Sequence, residues 1–443
     1  MDDAGTELHG AGILLKGRAI EAVGDGVDKA LRADPRVDQV IDGTGCVALP
    51  GFVNTHHHMF QTLTRAIPAV QDAKLFDWLI YLYEIWRKMT PEHVHVSAMV
   101  GMGELLLTGC TTSSDHFYLF PEHAPAELLD QTIHAGQRLG MRFHPTRGSM
   151  SRGKTDGGLP PDDCVQSEEA ILADCERVIH SWHDPDPFSM CRVGLAPCSP
   201  FSVTDQLMKD TAAMARRHGI RLHTHLAETL DEEEFCLGTV GMRPLQYMES
   251  LGWLGDDVWY AHGIHFTDDE MSLMAAHGTG VAHCPTSNMR LGSGTCPVPN
   301  MLAKGVPVGL GVDGSASNDS SNMLRELQSA MLVHRNVSGV DSMPARQALR
   351  LATRGGAQVL GRTDIGRLEA GTAADVVLFD VTELGFAGAM HDPIAALLFC
   401  GTSGRVKTSF VNGQVVVQDG RLVGADERLL FEQANKLAKT LIT

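Results

Sequence analysis

No uninterrupted apolar run in the 443-residue sequence is long enough to cross a bilayer as a helix, and Glu104 breaks the best candidate. No membrane span is therefore expected. Basic charge is in short supply: 36 Lys and Arg face 54 Asp and Glu, a formal net charge of -18. A nucleic acid partner needs cations to neutralise its phosphates, so none is expected. The first residues, Met1-Asp2-Asp3, lack the basic-then-apolar pattern of a secretion signal. None of the ten cysteines falls in a C-x-x-C pair. A chain this long needs no disulfide staples, so reduced, mostly buried thiols in a cytoplasmic protein are expected. Lysine is nearly missing from the middle: between Lys154 and Lys304 there is only Lys209. Low-complexity segments and internal repeats are also missing.

The length suits one large domain and a smaller one. Both ends read as β-structure. Residues 13–24 form a hairpin pattern turning at Lys16-Gly17, residues 374–380 a strand, and residues 406–417 a hairpin turning at Asn412-Gly413. A small β-sandwich domain built from both termini, residues 1–52 and 365–443, is expected. The middle, residues 53–364, alternates strands with helices. Strand patterns lie at 47–53, 111–114, 141–145, 191–196, 220–224, 258–261, 281–284 and 306–312. Eight strand–helix units imply a parallel (β/α)8 barrel of the TIM type, in the α/β class.

Active sites of such barrels lie at the carboxyl ends of the strands. Strand 47–53 runs into His56, His57 and His58. The fifth barrel strand ends in His223-Thr224-His225 and then Glu228, the sixth in His262, the eighth in Asp313. Alternate residues of a strand share a face, so His56 and His58 can point the same way. His56, His58, His225 and Asp313 are the expected ligands of a divalent ion, zinc by default, with iron or manganese tolerated by the same donors. The fourth strand ends in Ala196-Pro197-Cys198-Ser199-Pro200 without a lysine to bridge two ions, so one ion is expected. Glu228 is the candidate proton shuttle and His262 the group that holds the attacking water. Gln61, Arg147 and Cys198 are candidate substrate contacts. His57, His116, His144, His223, His265 and His283 read as packed, and Asp231, Glu232, Glu233 and Glu234 as a solvated loop. Trp78 and Trp86 are expected on a helix over the barrel mouth.

Several of these stretches resemble the amidohydrolase superfamily, in its mononuclear aminohydrolase branch: Pro50-Gly51-Phe52-Val53-Asn54-Thr55-His56, His223-Thr224-His225-Leu226-Ala227-Glu228, Ala261-His262-Gly263 and Gly311-Val312-Asp313-Gly314. Within the branch, residues 57–65, 146–151, 196–201 and 283–291 are similar to those of 8-oxoguanine deaminases, with hydroxyatrazine ethylaminohydrolase as a neighbour. The resemblance implies hydrolytic deamination of an aminated purine base, 8-oxoguanine to urate and ammonia, by attack of metal-activated hydroxide, with Asp313 also catalytic as the group that takes the hydroxide proton. It implies a cytoplasmic homo-oligomer whose partner is a small purine-like molecule. Removal of an amine or alkylamine from a hydroxytriazine is the alternative, and a metal-free scaffold the reading from another class. The family usually carries a further strand before the first hairpin, which is expected to be short or missing here.

Overall fold

The computed structural model describes residues 5–27, 34–401 and 404–442. Near the N-terminus, β1 (Gly12–Lys16) and β2 (Ala19–Gly24) pair as the expected antiparallel hairpin. Residues 5–11 form no strand, and residues 1–4, where the family's further strand would begin, lie outside the described residues.

The stretch 47–53 is not one strand. It is β3 (Cys46–Pro50) and β4 (Phe52–Asn54), which belong to different sheets. The partners change across Gly51: its N–H donates to Asp375 O, whereas that of Phe52 donates to Gly109 O. A Cβ at Gly51 would overlap the Thr111 side chain, so only glycine lets the chain pass from one layer to the other.

β4 opens a closed barrel of parallel strands completed by β5 (Cys110–Phe117), β6 (Arg142–Ser149), β7 (Gly194–Pro197), β8 (Arg221–Leu226), β9 (Val258–His262), β10 (Gly280–His283) and β11 (Val308–Leu310). These are the eight expected strands in their expected order, and β11 returns to β4 to close the ring. Helices between them bury apolar faces against the strands. The loops after β7, β8 and β9 each end in a threonine cap, Thr204, Thr229 and Thr267, whose side chain accepts the N–H three residues on. These caps fix where each rim loop ends and its helix begins.

Past β11 and the helices that follow it, the chain leaves the barrel. β12 (Val376–Asp380), β13 (Thr408–Val411), β14 (Gln414–Gln418) and β15 (Arg421–Leu422) form a five-stranded sheet with β3. Ile20 of the hairpin packs on Val376 and Leu378 of this sheet, giving two layers drawn from both ends of the chain. The sheet is locked to the barrel by a buried bidentate pair, Arg142 Nε and Nη2 on the two oxygens of Asp375 at 3.0 and 2.9 Å. Among the described residues no helix is long and apolar enough to cross a membrane.

Candidate active site

At the carboxyl ends of β4, β8, β9 and β11 the structure brings together His56, His58, His225, Glu228, His262 and Asp313, all carried near the barrel axis. Each of the first three rings is held by its Nδ1. His58 Nδ1 donates to His116 O at 2.7 Å, and His225 Nδ1 to Cys198 O at 2.5 Å. His223 Nδ1 donates to Trp259 O at 2.8 Å, which leaves its Nε2 to accept from His56 Nδ1 at 2.7 Å. With every Nδ1 carrying a proton, each neutral ring has only a lone pair on Nε2. Burial keeps these rings neutral: it pushes His56 and His58 below the usual range and His225 down to about 3.

The three lone pairs point at one another. His58 Nε2 and His225 Nε2 are 3.1 Å apart, and Asp313 Oδ1 lies 3.3 Å from His56 Nε2 and 3.4 Å from His58 Nε2. His56 Nε2 is buried without a hydrogen-bond partner. Lone pairs converging on a carboxylate oxygen repel unless a cation sits between them, so this donor set fits a divalent ion. Asp313 is held in turn: Oδ2 accepts from Ser287 Oγ at 2.6 Å and Ser317 Oγ at 3.1 Å, and Oδ1 from Gly314 N–H at 2.6 Å.

Beside this centre stand a proton-holding pair. His262 Nδ1 donates to Asn288 Oδ1 at 2.9 Å, and its Nε2 is 3.5 Å from Glu228 Oε2. Burial opposes charge on His262, but the Glu228 and Asp313 carboxylates outweigh it and raise its pKa. Burial pushes the Glu228 carboxyl up to about 7, with Asp313 adding repulsion and His262 opposing. A carboxyl that titrates near neutrality can both take and give a proton at working pH. Ala227, His262 and Asp313 all adopt positive φ, at 54°, 71° and 64°. Such strain in non-glycine residues gathers where the surrounding structure holds a site in shape.

A cavity opens over these groups. Gln61, Trp78, Tyr118, Cys198, Phe201 and Leu291 are in its wall, and none of the residues lining it is Arg or Lys. Trp78 and Trp86 do lie on one helix, Leu75–Trp86. Only Trp78 faces the cavity; Trp86 turns away and donates to Thr64 Oγ1 at 3.0 Å. Gln61 is buried with its amide nitrogen 3.5 Å from the Tyr118 hydroxyl. The Cys198 thiol is pushed up to about 12 by burial, so it is a small neutral wall.

Arg147 does not reach the cavity, contrary to expectation. Its side chain lies behind β6, with Nε on Asp174 at 2.7 Å, Nη2 on Gln166 at 2.8 Å, Nη1 on Gly148 O, and its guanidinium over the Phe120 ring. Every arm of its fork is taken by structural partners, so it is a core ion pair. Two other residues matter more than their sequence context suggests. His116, read as packed, stacks on His225 with centroids 4.7 Å apart and leaves Nδ1 without a partner while Nε2 donates to Ala196 O. Glu232, read as solvated, is buried at 1% exposure and lines the cavity. His116 sits at the end of β5, on the same rim as the other histidines, and that placement was a readable signal. His57 faces away and bonds Ser321 Oγ at 2.9 Å, as expected.

Over 438 residues the chain is 47% identical to an 8-oxoguanine deaminase from Pseudomonas aeruginosa, covering 99% of this chain and 96% of the relative. It is 37% identical to a hydroxydechloroatrazine ethylaminohydrolase from Pseudomonas sp. strain ADP, covering 100% and 93%. Among solved structures it is similar to an atrazine chlorohydrolase from Arthrobacter aurescens TC1 complexed with zinc, with TM-score 0.92, 36% identity and coverage of 100% and 97%. Residues 47–416, from the first strand of the small sheet through both halves of the rim, match the amidohydrolase family, and the chain belongs to that family.

Proposed function

We propose that this protein is a metal-dependent hydrolytic deaminase of a neutral aminated purine base, converting 8-oxoguanine and water to urate and ammonia. The observation that carries the reading is the meeting of the His56 and His58 Nε2 lone pairs with Asp313 Oδ1, with His225 Nε2 against His58 Nε2, beside a buried Glu228 carboxyl raised to about 7. Similarity to the 8-oxoguanine deaminase supports the substrate. The cavity wall supports it as well: without Arg or Lys it offers nothing to a phosphate or carboxylate, which favours a free base over a nucleotide.

His56, His58, His225 and Asp313 would hold one ion: the three imidazoles offer nitrogens within 4.8 Å of one another, Asp313 an oxygen within 4.8 Å of the His56 nitrogen, and the zinc-complexed relative favours zinc. When bound, such an ion acts as a Lewis acid and brings the acidity of a water toward neutrality. Glu228 gives a proton to the ring nitrogen next to the amine-bearing carbon, which makes that carbon electrophilic. His262, aimed by Asn288, orients the attacking water. Asp313 takes one proton of the water, its other oxygen steadied by Ser287 and Ser317, and that proton leaves with ammonia, while the water's second proton restores the Glu228 carboxyl. Gln61 and Cys198 read the ring edge.

The division into a small domain from both termini and a barrel between them is part of this proposal, with the first boundary, expected between 52 and 53, moved to Gly51 because Phe52 already belongs to β4. So are a cytoplasmic site of action, supported by ten unpaired cysteines, and a homo-oligomer, supported by exposed Leu429 and Phe431 on the C-terminal helix. The apolar wall of Leu75, Leu79 and Leu291 favours one second reading, removal of an alkylamine from a hydroxytriazine. Intact ligands and Glu228 oppose the scaffold reading. The test is a parallel assay of 8-oxoguanine, guanine, isoxanthopterin and hydroxyatrazine with zinc-loaded protein. Fastest turnover of 8-oxoguanine to urate is expected; faster turnover of the triazine would replace the first reading with the second.

A further inference from the structure

Glu232 lies seven residues past the candidate ligand His225, at the start of the helix Leu230–Val240. Thr229-Leu230-Asp231-Glu232 has the spacing of a capping box, in which the glutamate would reach back to the N–H of the cap residue. Here it reaches further. Thr229 Oγ1 still accepts from the Glu232 N–H, but the Glu232 carboxylate passes its own cap. Oε1 accepts from Ala227 N–H and Oε2 from Glu228 N–H, each at 3.0 Å. One buried carboxylate thus grips two consecutive amides, one of them belonging to Glu228.

The gripped turn needs holding. Ala227 is at φ 54°, a conformation that costs a non-glycine residue free energy. On the other side, its carbonyl accepts from Ile264 N–H at 2.8 Å and His265 N–H at 3.0 Å, just past His262. The turn is therefore fixed from both faces, by Glu232 and by the loop after β9. The direction in which Glu228 leaves the backbone depends on this turn.

We propose that Glu232 is a positioning residue for Glu228: its carboxylate fixes the 227–228 turn so that the Glu228 carboxyl meets the substrate ring nitrogen and His262. This rests on the proposed proton-carrying role of Glu228. Glu232→Gln keeps the length but can accept only one of the two N–H groups, turning its own NH2 toward the other. Misplacing a reacting group by about an ångström costs on the order of 100-fold.

The test is a double-mutant cycle on the zinc-loaded protein. Glu232→Gln should lower kcat ~10- to 100-fold, leave KM within about twofold, leave zinc content unchanged and displace the basic limb of the kcat profile. In a Glu228→Gln background the same change should cost less than about twofold, because the group it positions is already gone. Thr229→Ala removes the helix cap alone and should lower the thermal midpoint with kcat unchanged. If Glu232→Gln does not fold, Glu232→Asp, which keeps the charge but shortens the reach, should show the same kcat loss and the same non-additivity. An equal loss in both backgrounds, or kcat within twofold of wild type, would overturn the positioning role. Wild-type kcat in Glu228→Gln itself would instead remove the reading on which the inference stands.

Discussion

His56 shows how a single residue's role is set by its neighbours. Its Nε2 is free for a cation only because its Nδ1 keeps the proton, donating it in a hydrogen bond to Nε2 of His223 one layer deeper. Partners of this kind typically change metal affinity ~10- to 100-fold. His223→Ala should therefore weaken zinc binding by that factor, measured by competition with a chromophoric chelator, whereas unchanged affinity would disconnect the pair. Burial raises the Glu228 carboxyl to about 7, and the proposed proton transfer from it to substrate predicts that kcat/KM is full below that value and falls as pH rises through it. Glu228→Gln should cost ~100- to 10,000-fold in kcat with zinc still bound. Steady-state kinetics from pH 5 to 9 checks both. That His56, His58, His225, Asp313 and Glu228 would gather at one rim was legible in the sequence because each follows an apolar strand. Glu232 was not, because four acidic residues in a row look solvated, and only the fold turns one of them inward.

Among the elements, the loops that follow the barrel strands are held by buried carboxylates. Asp115 accepts from Met59 N–H at 2.8 Å, just past His58. Glu326 accepts from Thr286 N–H at 2.9 Å and Asn318 Nδ2 at 2.8 Å, flanking Ser287 and Ser317. Glu232 does the same after β8. A rigid rim built this way tolerates little added volume. A Cβ at Gly314 would fall on Gln61 Oε1, so Gly314→Ala should displace that amide and raise KM for 8-oxoguanine while the fold survives. Unchanged KM would remove Gln61 from the ring-reading groups. Arg147→Met should act the other way, lowering stability by roughly 3 kcal/mol through the half-abandoned Asp174, with kcat/KM unchanged. Denaturant unfolding and kinetics on the same sample separate the two. The barrel's strands were legible from their apolar patterns. The break at Gly51 was not, because Val47 to Val53 stays apolar across it and only the change of hydrogen-bond partners divides it. Arg147 misled for a related reason: β6 is buried on both faces, so its register does not say whether a charged side chain faces the cavity or the helix behind.

At the scale of the whole molecule, distant parts of the chain meet at one point. Residues 56, 225, 262 and 313 are brought together only when the barrel closes through β11 and β4. A ligand that binds this closed state and not the unfolded chain stabilises it, by about 2.7 kcal/mol at a hundredfold excess over its dissociation constant. Removing zinc should lower the thermal midpoint, and restoring it should recover both stability and activity. The measurement that tests the account most directly is urate formation from 8-oxoguanine, followed together with bound zinc, in the wild type, His225→Ala and Glu228→Gln. Urate and ammonia should appear in equal amounts in step with zinc occupancy in the wild type. His225→Ala should lose zinc and activity together, and Glu228→Gln should keep zinc and lose activity. Urate formation by metal-free protein, or full activity in Glu228→Gln, would contradict it.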